Sequence, residues 1–299
     1  MNAPWHEQVL AFDAAGERLA GIVTRPSRAH ALGVVVIVGG PQYRAGSHRQ
    51  FVQLARALAG AGFPVLRFDA RGMGDSGGEP PSFEALQPDI DAAIGALQGA
   101  VPGLQRVVLW GLCDAASAAL LYLKARGGDT RVAGLCALNP WVRSATTEAQ
   151  ARVRHYYFQR LREPAFWRKL ATGGVSAGAL RGLAGNLRKA LGRGVTGQAD
   201  AQQPYQHRMA AAWQAFQGRL LLVLSGRDLT AREFELVRDA DTRWTQSLQA
   251  RSCRLERLPE ADHTFSDAAS RQRLEALCTE WLHEVLGTTG AASATGAAA

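Results

Sequence analysis

The 299-residue chain has little of what builds metal centres or disulfide scaffolds: its four cysteines, Cys113, Cys136, Cys253 and Cys278, form no CxxC pair. Thiols scattered in this way argue against a zinc site or a cystine framework, and no metal or other cofactor is expected. No apolar run approaches about 20 residues, so no transmembrane helix is expected. The opening Met1-Asn2-Ala3-Pro4-Trp5-His6-Glu7 lacks the basic and apolar regions of a signal peptide. No internal repeat stands out, and no dinucleotide glycine motif follows the first parallel strand. These absences suit a reduced, cytoplasmic setting in which a free thiol persists. What the chain has is apolar bulk, 47% of its residues, enough for a large core.

The order of elements points to an α/β class with a doubly wound, mostly parallel sheet. Residues 9–26 read as an antiparallel hairpin turning near Ala14-Ala15-Gly16. Residues 31–38 (ALGVVVIV) form a β-branched run of the kind buried on both faces. A helix over 49–60, a strand over 64–68 and a helix over 83–98 follow. Next come a strand over 106–110, a helix reaching Arg126, and a strand over 132–138. Strands at 219–224 and 253–258 and a last helix over 267–285 complete the pattern. The core is therefore assigned to 1–141 and 218–286.

Residues 142–217 break the rhythm. Arg152, Tyr156, Tyr157, Arg160, Phe166 and Trp167 recur at helical spacing, as do Leu183, Leu187, Ala190 and Leu191. A structureless loop of this length is improbable, so a helical cap insertion is expected. It holds 12 Lys and Arg against 3 Asp and Glu, a net +9, while the whole chain carries +8. Such a surface either is simply solvated or attracts anions: a phosphorylated carrier, an anionic saccharide or, through peripheral contact, an anionic membrane. No reading motif accompanies the charge, so specific nucleic-acid binding is not expected. The low-complexity tail 287–299 reads as disordered. Oligomeric state is not legible.

The most informative stretch is Val107-Val108-Leu109-Trp110-Gly111-Leu112-Cys113-Asp114-Ala115-Ala116. A buried strand ends at a glycine, a cysteine follows two residues later, and small residues open a helix. This is the Gly-x-nucleophile-x-small spacing of a nucleophile elbow, with a thiol where serine is usual. A thiol needs a base, and the base an orienting acid. Asp228, in Ser225-Gly226-Arg227-Asp228, and His263, in Pro259-Glu260-Ala261-Asp262-His263, follow strands in the chain order such a triad takes. Asp262 is the competing acid, although neighbouring side chains on a loop rarely converge on one ring. His6, His30, His155, His207 and His283 have no comparable context.

An oxyanion needs backbone donors. Asp114, next to Cys113, supplies one amide. The loop after the first parallel strand, Gly39-Gly40-Pro41-Gln42-Tyr43-Arg44-Ala45-Gly46-Ser47-His48, should supply the second. Pro41 has no N–H, so Gln42 is the candidate. Tyr43, Arg44, Ser47 and His48 are candidate substrate-binding residues at the pocket mouth.

Asp69-Ala70-Arg71-Gly72-Met73-Gly74-Asp75-Ser76 resembles the D-x-R-G-x-G-x-S turn of α/β-hydrolases, and with the elbow and His263 the resemblance spans most of residues 9–285. More narrowly, Gly39–Phe51, Leu66–Ser76, Trp110–Ala115 and Leu224–Ala231 look like the exosortase A system-associated hydrolase 1 family. That resemblance implies an α/β-hydrolase fold in a bacterium with PEP-CTERM/exosortase sorting and exopolysaccharide genes, and it implies no substrate. Cysteine for serine, and Gly-Gly-Pro for His-Gly-x, depart from the superfamily pattern.

Thiolates attack activated acyl groups well, whereas their adducts with plain amides expel the thiolate. The expected activity is therefore hydrolysis or transfer of an acyl group from a small-molecule or carrier-linked ester or thioester, through an S-acyl enzyme. A lactonase resembling dienelactone hydrolase, or a non-catalytic binding partner in export or polysaccharide assembly, are the alternatives.

Overall fold

The computed structural model describes residues 4–40, 42–143, 204–248 and 252–296. The chain divides into one unit of 1–141 with 203–299 and a second of 142–202. The expected helical cap falls mostly outside the described residues.

The first unit is built on an eight-stranded sheet in the order β1-β2-β4-β3-β5-β6-β7-β8. Strands β1 (Trp5–Ala14) and β2 (Glu17–Pro26) form an antiparallel hairpin. Its two-residue turn, Ala15 at φ 50° and Gly16 at φ 85°, is left-handed throughout, the twist that closes tight hairpins. Strand β2 pairs antiparallel with β4 (Val65–Phe68). From there all pairings are parallel, through β3 (Leu32–Ile37), β5 (Arg106–Leu112), β6 (Val132–Leu138), β7 (Arg219–Ser225) and β8 (Cys253–Leu258).

Crossover helices cover both faces. Val34, Val36, Val108, Trp110, Cys136 and Leu221 share one apolar cluster with residues of α1 (Gln50–Gly60) and of the last helix. Strand alternation turns the intervening Val35, Leu109, Leu135 and Leu222, all fully buried, to the other face. Helices α2 (Gln87–Ala100) and α3 (Asp114–Arg126) pack against each other. This double coverage is why β3, β5 and β6 read as continuous apolar runs rather than alternating ones.

Helix α4 (Tyr205–Ala215) packs along α3 and belongs to the core unit, which moves the insertion's end from 217 to 202. Its Trp213 stacks 5.3 Å from Trp244, which in turn lies 5.2 Å from Phe234. These rings join α4 to two helices not anticipated from sequence, α5 (Leu229–Ala240) and α6 (Thr242–Leu248). The last helix, α7, runs over Ala268–Gly296. Residues 287–296, expected as a disordered tail, continue this helix.

No helix among the described residues is long and apolar enough to cross a membrane.

Candidate active site

Strand β5 ends in an abrupt turn at Cys113, whose backbone sits at φ 62°, ψ −124° before α3 begins. A non-glycine residue there carries strain on the order of 1–3 kcal/mol, which its surroundings must hold in place. The surroundings do so. The Cys113 amide donates to Leu138 O at 2.9 Å, and its carbonyl accepts from Ala116, Ser117 and Trp141. The Ser117 hydroxyl binds Trp141 O at 2.7 Å. A side chain at Gly111 would lie 2.6 Å from the Ala115 and Ala116 backbone. The small residues flanking Cys113 are therefore a packing requirement of the turn.

Asp228 and His263 arrive from two turns joined to each other. Gly226 N donates to Leu258 O at 2.9 Å and Arg227 N to Ala261 O at 3.0 Å. A Cβ on Gly226 would meet Pro259 O at 2.2 Å, so only glycine permits this approach. Behind the turns, Asn139 clamps the ends of β6 and β7. Its Nδ2 donates to Ser225 Oγ and its Oδ1 accepts from Ser225 N, both at 2.9 Å.

The buried Asp228 carboxylate does two things. It caps α5, accepting from Thr230 N at 3.0 Å and Ala231 N at 3.3 Å, and its Oδ2 lies 2.8 Å from His263 Nδ1. Hydrogen bonds to Asp228 first, then to Cys113, push the His263 pKa up to about 10. With Nδ1 turned to Asp228, Nε2 is the nitrogen left for the thiol. The structure thus brings Cys113, His263 and Asp228 together. Asp262 is turned elsewhere: it accepts from Thr264 N at 3.1 Å, Ser266 N at 3.0 Å and the Ser266 hydroxyl.

The loop after β3 differs from expectation. The Gln42 amide donates back to Gly40 O at 2.8 Å, so in this conformation it is not a free oxyanion donor. Gly40 N in turn donates to Asp114 Oδ2 at 2.9 Å. The sequence offers this carboxylate, one residue past the thiol, only as a complement to the helix dipole; its bond to Gly40 is not legible there.

Arg44 is engaged structurally. Its guanidinium pairs with the buried Asp69 and with Asp75 at 2.7 Å, and its amide donates to Asp69 Oδ1 at 2.7 Å. Tyr43 lies beneath that guanidinium, 4.4 Å from ring centre to Cζ, with part of its surface exposed. Ser47 and His48 sit in a single 3-10 turn, Ser47–Arg49, where His48 is left-handed at φ 52°. Neither joins the hydrogen bonds of the triad.

The Asp69–Ser76 turn anchors this loop. Ser76 Oγ donates to Asp69 O at 2.7 Å and accepts from Ala20 N, while Arg71 pairs with Asp89 at 2.6 Å. The motif holds the loop that faces the nucleophile. Among the described residues no group of three or more His, Cys, Asp or Glu side chains converges to hold a metal ion.

Comparison with known proteins bears on the family and the fold. The sequence model of the family described as "Alpha/beta hydrolase family" matches residues 34–276. No curated protein matches the chain. Among solved structures it resembles an esterase of Pyrococcus furiosus at 15% identity, covering 94% of this chain and 93% of that one, TM-score 0.60. A proline iminopeptidase of Mycobacterium smegmatis gives 15% identity, coverage of 94% and 100%, TM-score 0.60. A dienelactone hydrolase of Anabaena variabilis gives 16% identity, coverage of 94% and 98%, TM-score 0.59. At these identities the likeness is one of fold.

Proposed function

Since the chain belongs to the α/β hydrolase family and is a hydrolase, we propose that it cleaves or transfers acyl groups from esters or thioesters through an S-acyl intermediate on Cys113. The observation that carries this reading is the strained Cys113 turn beside a His263 ring held by Asp228.

The chemistry follows from the residues. A thiolate paired with an imidazolium is nucleophilic near neutrality. Cys113 Sγ bonds to the acyl carbon, and the carbonyl π electrons move to oxygen. When the tetrahedral adduct collapses, the bond to the leaving oxygen or sulfur breaks, and His263 Nε2 passes its proton to that atom. A water or another acceptor then attacks the thioester, giving its proton to His263 as the thiolate departs. Asp228 keeps the ring in the tautomer and orientation that both half-reactions need. The Asp114 amide, at the start of α3, is the oxyanion donor favoured by position.

The +9 segment 142–217 favours an anionic or carrier-linked acyl substrate. Lactones are the cyclic members of the same ester class, and the cysteine elbow serves them equally. The narrower likeness to the exosortase-associated hydrolases, and a cytoplasmic location, are part of this proposal, supported by the segments quoted above.

The test is stopped-flow kinetics with p-nitrophenyl acetate. Wild type should release a burst of p-nitrophenol equal to the enzyme concentration, and Cys113→Ala none. A burst that survives Cys113→Ala overturns the assignment. No burst and no turnover with esters, lactones or acyl-CoAs favours a binding role for the same scaffold.

A further inference from the structure

The side of the site that should receive the acyl oxygen is already occupied. Two amides of the β3 loop, those of Gly40 and Gln42, are already engaged. Gly40 N–H is bound to Asp114 Oδ2 at 2.9 Å, position 41 is proline, and Gln42 N–H is bound to Gly40 O at 2.8 Å. The amides of Ala115 and of Asp114 itself also stabilise that carboxylate. The contact is close: a Cβ built on Gly39 would sit 2.0 Å from Asp114 Oδ1 and 2.8 Å from Ala115 N. A carboxylate therefore holds the amide corner one residue from the nucleophile, where an anionic tetrahedral oxygen would gather the same donors.

Building negative charge on an acyl oxygen beside an ionised carboxylate is unfavourable. A neutral acid removes the repulsion and offers an O–H donor instead. We propose that Asp114 is a positioning residue that closes the oxyanion corner as a carboxylate and opens it to the acyl oxygen as a carboxylic acid. This rests on acyl transfer at Cys113 and adds the control of it.

Burial independently favours the acid form, raising the Asp114 pKa from its ordinary value against the amide bonds and the His263 charge that lower it. Among the described residues, the titratable side chain that acts on Asp114 is His263, on the turn after β8. The Gly39-Gly40 segment brings none. His263, raised to about 10 by its bonds to Asp228 and Cys113, stays an imidazolium across the pH range of the test.

The test compares wild type, Asp114→Asn and Asp114→Ala. Cys113 acylation by p-nitrophenyl acetate and alkylation by iodoacetamide, which develops no oxyanion, are followed from pH 4.5 to 8.5. Thermal melts establish that the variants fold. After correction for alkylation, both variants should acylate about tenfold or more faster than wild type at pH 8.5. The advantage should shrink towards unity at the acid end. A pH-independent ratio overturns the proposal, as does an alkylation change parallel to acylation. So does Asp114→Ala slower than wild type throughout, the mark of a carboxylate that only holds the loop. Should no variant acylate while iodoacetamide still labels Cys113, the acyl-transfer reading fails and this proposal with it. A flat ratio on active protein removes this proposal alone.

Discussion

The two flanks of Cys113 are built in opposite ways. On the β7–β8 flank, the turns are hydrogen-bonded to each other and bring together an acid and an imidazole, Asp228 Oδ2 to His263 Nδ1 at 2.8 Å. On the β3 flank, the loop is held as firmly, but its polar groups are turned to one another: Arg44 to Asp69 and Asp75, Gln42 N to Gly40 O, Gly40 N to Asp114. One flank thus presents a paired acid and imidazole, whereas on the other a loop amide is taken up by the Asp114 carboxylate.

Breaking the first flank should have the largest effect. His263→Ala should slow Cys113 acylation by about 10²–10⁴-fold, the usual worth of a positioned acid–base group, read from burst rates. Asp228→Asn should cost somewhat less in rate. It should also leave stability nearly unchanged, because asparagine retains the helix cap, whereas Asp228→Ala should lose about 1 kcal/mol more in urea denaturation.

Breaking the second flank should show in stability before it shows in chemistry. Arg44→Met leaves the Asp69 carboxylate, which is fully buried, without its cation. We expect a loss of about 2 kcal/mol by urea denaturation and a smaller change in acylation rate. An equal loss of rate in Arg44→Met and His263→Ala would erase the contrast between the flanks.

The smallest effect sharpens the electrostatics. His263 is raised in the folded protein to about 10 by Asp228 and Cys113, above its ordinary value of about 6.5. Its charged form therefore contributes stability that is fully present below about pH 6.5 and is lost as pH rises towards 10. The Tm difference between wild type and His263→Gln should narrow over that interval. A difference that widens would reverse the sign of the coupling.

Much of this was legible in the sequence, for physical reasons. Strands covered on both faces must be apolar throughout, so β3, β5 and β6 could be placed within a residue or two. The elbow could be found because Gly111 and Ala115 have no room for larger side chains. The chain order expected of a triad singled out Asp228 and His263, which the structure pairs at 2.8 Å. What escaped depends on contacts distant in sequence. Helix α4 is alanine-rich and weakly patterned, and its place is set by Trp213 against Trp244 rather than by local periodicity. Helix α5 follows a capping aspartate that had been read only as an acid for the triad. The closure of the β3 loop depends on a bond between Gly40 and Asp114, 74 positions apart, and no spacing rule reaches that far.

The most direct measurement of the central claim is intact mass after rapid mixing with p-nitrophenyl acetate and a short acyl-CoA, followed by digestion to locate the adduct. A single acyl group on the Cys113 peptide, absent in Cys113→Ala and accumulating slowly in His263→Ala, is the result predicted. An acyl group on another residue, or turnover undiminished in Cys113→Ala, would contradict it.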